Sequence, residues 1–552
     1  MKSGAKGQKK PQGEMRQSQI VTTFGPGSMV DLPNHSVLIG GLDFWSFGGD
    51  PVPEPRLARK VASVLGVPSV EMRTPPPASD DPSAPQTGVT VFQFPEWFVT
   101  QDTERADGSG IRSRLLVHRK ALTKGKYIDR DKKRRNVVPV RFVRACPAGH
   151  ISDIDWYAFA HNGPSDCASQ QRQLFLDERG TSGDLTEIWV RCECGKAKRS
   201  LAQAAVQSNR ALGACDGARP WLGVYTKETC GSPNRLLVRS ASNAYFPQTM
   251  GVISLPERDE TVRKAVDAVW SFIEFVENLD ELRYERKKAK VKEALEGISD
   301  DEVMAELVAR KSGAGKTEKK IKIAELETLV AAREESGADQ PEGTFYARSL
   351  PKSEWDRPWM NAIERVVLVH RLREVVAQVG FTRFESASPD TEGELDMGVR
   401  RAALAREVTW VPAYENKGEG VFLQFRAARI QEWMTRPGVQ RRAIALANGF
   451  RAWEKDHPGS NRKMPTLDFL MLHSFAHLLI TAVALGCGYP ASSIRERIYA
   501  VPGIGYGVLL YTGTSDAEGT LGGLVQVGRR IYEYVRSALD LGQLCSNDPV
   551  CA

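Results

Sequence analysis

The sequence predicts a multidomain protein of mixed α and β structure (α+β). Three observations predict it. Short β-branched and aromatic runs recur from Ile20 to Val99 and again after Phe345. Apolar residues at helical spacing begin at Val262 and give way to dense charge, which marks a charged helical insertion. Between these regions lie six of the nine cysteines, within the 85 residues from Cys146 to Cys230. The 552 residues and 41% apolar content allow several buried cores and exclude a disordered or fibrous chain.

In chain order, the first region spans residues 1–140 and is β-rich. It opens with a polar, basic stretch from Met1 to Glu14, expected to be a disordered tail without the pattern of a secretion leader. Strands are expected around Ile20 and over Val37–Ile39, with Gly25-Pro26-Gly27 as the turn between them. That turn lacks the spacing of a nucleotide fingerprint, so a tight structural turn is expected rather than a phosphate cradle. Recurring prolines from Pro51 to Gln86 mark a long loop holding one short helix, Leu57–Leu65. Val89–Val99 returns to strand composition.

A basic run follows: Arg119, Lys120, Lys124, Lys126, Arg130, Lys132, Lys133, Arg134 and Arg135, opposed only by Asp129 and Asp131. Clustered cations displace counterions from phosphate, so this run is the candidate nucleic-acid surface. A solvated loop between two strands is the alternative. The net charge of +7 permits a nucleic-acid partner without requiring one.

The second region, residues 141–256, carries the cysteine cluster. Cysteines beside Pro or Gly turns aim sulfur and backbone N–H groups at one point, and thiolate with imidazole suits tetrahedral Zn2+. Contiguity groups Cys192, Cys194, Cys215 and Cys230 into one site and Cys146, His150, His161 and Cys167 into a second. A single interleaved site of Cys146, Cys167, Cys192 and Cys194 is the rival, and buried free thiols are the alternative to both. Full tetrads leave no open position, so the metal is expected to be structural. Without a secretion signal the expected compartment is the reducing cytoplasm, where such clusters favour metal over disulfides.

Residues 257–344 form the helical insertion, about three helices, with Ser299–Glu302 as a capping box. Ser312-Gly-Ala-Gly-Lys316-Thr317 imitates the end of a phosphate-binding loop. Its first glycine is replaced by Arg310 and it follows an amphipathic helix, so no ATP site is expected. A loop is expected from Glu334 to Thr344.

The last region spans residues 345–552. Periodicity leaves Val366–Val369 open between strand and helix. Strands are expected at Val408–Pro412, Gly420–Phe425 and Gly507–Thr512, and a helix at Ile430–Ala447. Leu467–Leu485 has the length of a membrane span, but Asp468, His473 and His477 make it a buried core helix with no membrane partner. His473 and His477 share one helix face, yet Ser474 stands where a zinc protease needs Glu. With Glu496 and Asp516 they are the candidate site of the alternative function, a nuclease or other hydrolase. Asp516 and Glu518 beside Arg495, Glu496 and Arg497 equally suit a charge-paired scaffold.

Several stretches together resemble the DrmB family of the bacterial DISARM anti-phage system. They are Ser18–Ile20 with Phe24–Gly27, Cys146–Asp153, Trp156 with His161 and Cys167, Ala241–Pro247, His473–His477 and Glu518–Gly523. The resemblance implies a helicase-associated C-terminal domain and a protein without its own motor. It also implies an SF2-type (DrmA-like) helicase partner, the heterodimer acting on phage DNA with a single strand or overhang. Cys192-Glu-Cys194 departs from the family by having one residue between its cysteines rather than two. Relatives continue beyond Cys545 and Cys551 into a second cysteine pair. The terminus is therefore expected to be truncated, with these two as ligands of an unfinished zinc site.

Overall fold

A computed structural model describes residues 15–544, except 33–34, 47, 78–87, 104–110, 181, 256–261, 263–264, 312–319, 333–334, 338–342, 387–399, 457–462, 489 and 513–522. The basic tail, the phosphate-loop imitation, Asp516, Glu518, Cys545 and Cys551 lie outside the described residues.

Two long strands, Ile363–Thr382 and Trp410–Phe425, pair antiparallel and form the middle of an eight-stranded sheet. Val366–Val369 is thus strand. Helices and loops cover both faces here, so the sequence shows a continuous apolar run and no alternation. The two expected strands at Val408–Pro412 and Gly420–Phe425 are one strand. Ile494–Val501 and Gly505–Thr512 extend one side of the sheet. Phe345–Ser349 extends the other, followed by Glu335–Gly337, a strand where a loop is expected. Phe246–Ile253 pairs with the far half of Ile363–Thr382, and Glu71–Arg73 runs parallel to Trp410–Pro412.

Leu467–Cys487 packs on this sheet with Gly523–Arg529 and Ile531–Leu544, burying Leu472, Ala476, Leu479 and Val483 as a core stripe. It is the one described helix long and apolar enough to cross a membrane. The expected helix at Ile430–Ala447 is two, Ala427–Met434 and Pro437–Asp456. Proline at the first position of the second starts a helix but cannot continue one.

Around Ile20 the chain is a helix, Gln17–Thr22, and not a strand. One turn suffices to press Val21 against Val376 and Tyr414 on the long strands, a contact that overrides β-branched propensity. The Gly25–Gly27 turn is structural: Gly27 N–H donates to Ile39 O and Ser28 N–H to Gly25 O. Gly27 has φ +83°, and a Cβ there would overlap the Phe381 ring.

Arg383, just past the first long strand, is fully buried. Its guanidinium donates to three backbone carbonyls: Gly149 at 2.9 Å, Ala244 at 2.6 Å and Gly27 at 2.6 Å. Burial pulls its pKa down to about 10, so the cation persists at neutral pH.

A second eight-stranded sheet runs in the order Lys198–Ser200, Ile188–Cys192, Leu174–Arg179, Ile111–His118, Trp97–Thr100, Arg134–Pro139, Lys126–Ile128 and Leu122–Thr123. The helix Trp156–His161 packs on it.

The insertion has its own small core of Val266, Ile273, Leu282, Val291, Val303 and Leu307, made by helices shorter and more numerous than expected. They include Trp270–Ile273, Leu279–Glu285, Ala289–Ala294 and Asp300–Lys311. The capping box forms: Ser299 Oγ accepts from Glu302 N–H, and Ser299 N–H donates to the Glu302 carboxylate. Ile321–Ala331 leaves this core and packs on the main sheet, where buried Glu325 binds Arg497 at 2.6 Å and Tyr499 at 3.1 Å. Arg495 pairs with Glu374 at 2.8 Å. Both arginines therefore belong to a charge-paired scaffold.

Candidate metal centres

The first centre is built on a three-stranded sheet of Ile151–Ser152, Phe142–Ala145 and Arg235–Val238. The register Ala145↔Arg235 brings the chain after Phe142–Ala145 beside the chain before Arg235. Cys146, His150, Cys215 and Cys230 meet there, all donor atoms within 4.8 Å of one another. Cys146 Sγ lies 3.3 Å from His150 Nδ1 and 3.9 Å from Cys230 Sγ, and Cys215 Sγ lies 3.5 Å from His150 Nδ1. Bonds of zinc length set tetrahedral S–S and S–N edges of about 3.8 Å and about 3.6 Å, so the spacing fits.

Gly149, at φ +90°, closes the Cys146–His150 knuckle, and Gly217 N–H donates to Cys215 Sγ at 3.3 Å. On the outer side His150 Nε2 meets Glu228 at 2.6 Å, and Glu228 meets Arg219 at 2.8 Å. A carboxylate behind the ring fixes which nitrogen faces the sulfurs. Burial pulls the imidazolium down, but Cys215, Glu228 and Cys230 outweigh it and hold its pKa at about 9. The Cys215 thiol is pushed up to about 12, first by Cys146 and then by burial. Crowded sulfur of this kind is relieved by a cation.

The second centre gathers His161, Cys167, Cys192 and Cys194, again within 4.8 Å. His161 ends the helix Trp156–His161, and Asn162 at φ +58° turns the chain away. Cys192 ends a strand paired Leu174↔Cys192, which brings it beside the segment holding Cys167. Gly195, at φ +75°, closes the one-residue knuckle, and Cys194 Sγ lies 3.9 Å from His161 Nε2. Burial pushes the Cys192 thiol up to about 11, whereas the backbone N–H of Lys196, ahead of Cys192 and Cys167, draws Cys194 down.

The grouping by contiguity is therefore corrected. Cys192 and Cys194 do not join Cys215 and Cys230, and Cys146 with His150 does not join His161 with Cys167. The rival site brings together three of its four members, with His161 in the place of Cys146. Strand pairing explains this: the chain leaves the first knuckle, builds the second on the large sheet, and returns to finish the first.

His473, His477 and Glu496 also converge. Nε2 of His473 lies 3.1 Å from Nε2 of His477, and Glu496 Oε1 lies 3.6 Å from both.

The basic run is a β-hairpin at the edge of the second sheet, with Lys126↔Asn136 and Ile128↔Arg134 facing each other. Lys124 and Gly125, at φ +49° and +76°, form the two-residue turn between Leu122–Thr123 and Lys126–Ile128. Three of the nine cations are structural. Arg135 pairs with Asp129 at 2.8 Å, Arg119 with Glu96 at 3.9 Å, and Arg130 with Glu193 at 2.7 Å. Lys120, Lys124, Lys126, Lys132, Lys133 and Arg134 are exposed, with no ion pair among the described residues. Glu193 lies between two sulfur donors of the second centre, so Arg130 ties the hairpin to it. Neither Glu193 nor Glu228 is singled out by sequence spacing; adjacency to a candidate cysteine is the only signal.

These features define an α+β protein with two buried or half-buried Cys/His tetrads that can hold metal ions, beside an exposed basic hairpin. Residues 16–246 match a family described as a domain of unknown function (DUF8724). Over 483 residues the chain is 30% identical to the DISARM protein DrmB of Bacillus paralicheniformis, covering 85% of this chain and 83% of that protein. The chain belongs to the DrmB family of the DISARM anti-phage defence system.

Proposed function

We propose that this chain is a non-catalytic, zinc-stabilised, cytoplasmic subunit of its defence complex, which binds a partner helicase and helps it engage DNA. The observation that carries this reading is the pair of closed four-donor tetrads. Each supplies a full coordination shell with no position left for substrate, the pattern of a structural ion. The six exposed hairpin cations supply a phosphate-binding surface, held in place by Arg130 and Arg135.

The test is co-purification with the helicase of the same defence system, followed by DNA binding with and without this chain. Retention of the helicase and tighter, salt-sensitive DNA binding is the expected outcome. Failure to retain the helicase overturns the reading. A hydrolase is the second reading, favoured by the meeting of His473, His477 and Glu496. DNA cleavage that depends on an added divalent ion and is lost on His473→Ala would establish it.

A further inference from the structure

We propose that His473, His477 and Glu496 form a third metal site, unlike the tetrads: an exchangeable, solvent-facing site for a divalent transition ion of the Zn2+ kind. On Leu467–Cys487 the stripe Leu472, Ala476, Leu479 and Val483 takes the core, and the two histidines flank it toward the strand Ile494–Val501. On that strand Arg495 and Arg497 bind Glu374 and Glu325. With a period of two, Glu496 points to the opposite face and meets the histidines.

The two imidazoles stand within hydrogen-bond reach of each other, at 3.1 Å, but the carboxylate distances favour an ion over a hydrogen-bonded cluster. At 3.6 Å from either ring nitrogen, Glu496 Oε1 is too far to accept a hydrogen bond. Its other oxygen is buried and has no hydrogen-bond partner among the described residues. A carboxylate held between two imidazoles yet hydrogen-bonded to neither has its desolvation only partly offset, by the charges of His477 and Lys322. Three donors at about 2.1 Å from one ion stand about 3.4 Å apart in a tetrahedron, and the observed edges are 3.1, 3.6 and 3.6 Å.

Two imidazoles and one carboxylate select a borderline transition ion over Mg2+ or Ca2+, which prefer all-oxygen shells. Three protein donors leave a coordination position open. The His473 and His477 side chains are 38% and 60% exposed, so that position faces solvent and takes water or an anionic oxygen. Lys322 lies near enough to act on Glu496 and competes with the ion for it.

Cobalt distinguishes this site from the tetrads, because thiolate ligands add a charge-transfer band that imidazole and carboxylate do not. Full-length protein, purified with its tetrads loaded, is titrated with Co2+. The expected result is one further Co2+ per chain, with visible ligand-field bands, no thiolate band, and removal by brief chelation that leaves the tetrad ions in place. His477→Ala and Glu496→Gln should each weaken uptake by about 100-fold or more, while Lys322→Ala should leave it intact or tighten it. His477 is exposed, so with the tetrads loaded and this third site empty its variant should unfold at the wild-type midpoint; Glu496→Gln serves as the second variant. No additional uptake, uptake equal in wild type and both variants, or a thiolate band on the added ion would each overturn the proposal.

Discussion

Glu228 touches no metal donor except through His150, yet it decides which imidazole nitrogen faces the sulfurs. Losing such an outer carboxylate typically weakens metal affinity by about 10- to 100-fold. Glu228→Gln keeps the shape and removes the charge, so it should weaken the first centre by that factor and leave the second unchanged, as read by chelator competition. Asp153 provides a pH-dependent counterpart. Desolvation, outweighing the hydrogen bond that Asp153 accepts from the Glu96 backbone N–H, pushes its carboxyl up to about 6. The folded state thus holds the proton more tightly than an unfolded chain does. The resulting stability is present in full below about pH 4, declines as pH rises through 6, and is gone above it. Asp153→Asn should therefore raise the unfolding midpoint at pH 8 and leave it nearly unchanged at pH 4. At this scale the eight donors are legible in the sequence, because cysteine and histidine beside Gly and Pro turns have few other uses. Their partition is not, because the register Ala145↔Arg235 sets it and no local signal encodes register.

The hairpin shows what ion pairing adds to an element seen only as charge. Nine cations in sequence look equivalent, but Arg119, Arg130 and Arg135 hold carboxylates of the scaffold. Charge reversal should therefore spare those three. Lys126, Lys133 and Arg134 changed together to Glu should weaken DNA binding by the helicase complex without dissolving it. Removing one cation–phosphate pair should flatten the slope of log affinity against log salt by about 0.7 to 0.9. The weakening should be equal on two unrelated DNAs, since phosphates carry no base information. An unchanged slope would place the DNA elsewhere. Pro55–Leu65 is legible from the periodicity of its one buried face, and Gly505–Thr512, buried on both faces, from its continuous apolar run. Gln17–Thr22 is not, because a tertiary contact at Val21 decides it.

For the whole molecule, the first tetrad gathers the chain at one end of the three-stranded sheet and the second joins the helix Trp156–His161 to the second sheet, so loss of the proposed ions should have a global effect. Structural zinc contributes on the order of 10 kcal/mol of folding free energy, comparable to the entire stability of a domain. Cys194→Ser and Cys215→Ser should each yield insoluble protein. Cys487→Ser should not, because that thiol is exposed and meets only the Tyr534 hydroxyl, at 3.2 Å, among the described residues. Equal soluble yield from all three would remove the metal argument. The fold class is legible because strand runs, the cysteine cluster and the charged helices occupy separate stretches. Strand Glu71–Arg73 joining the last sheet is not, since it depends on partners far along the chain.

Arg383 gives that distance a clock. The carbonyls it binds belong to residues made 356, 234 and 139 positions earlier. At about 5 to 20 residues per second, the first turn emerges from the ribosome tens of seconds before the guanidinium that will hold it. Through that interval Gly27, Gly149 and Ala244 lack their shared donor. The amino-terminal half can bring the donors of both tetrads together during synthesis, but its three segments are locked together only when the long strand behind them has been translated.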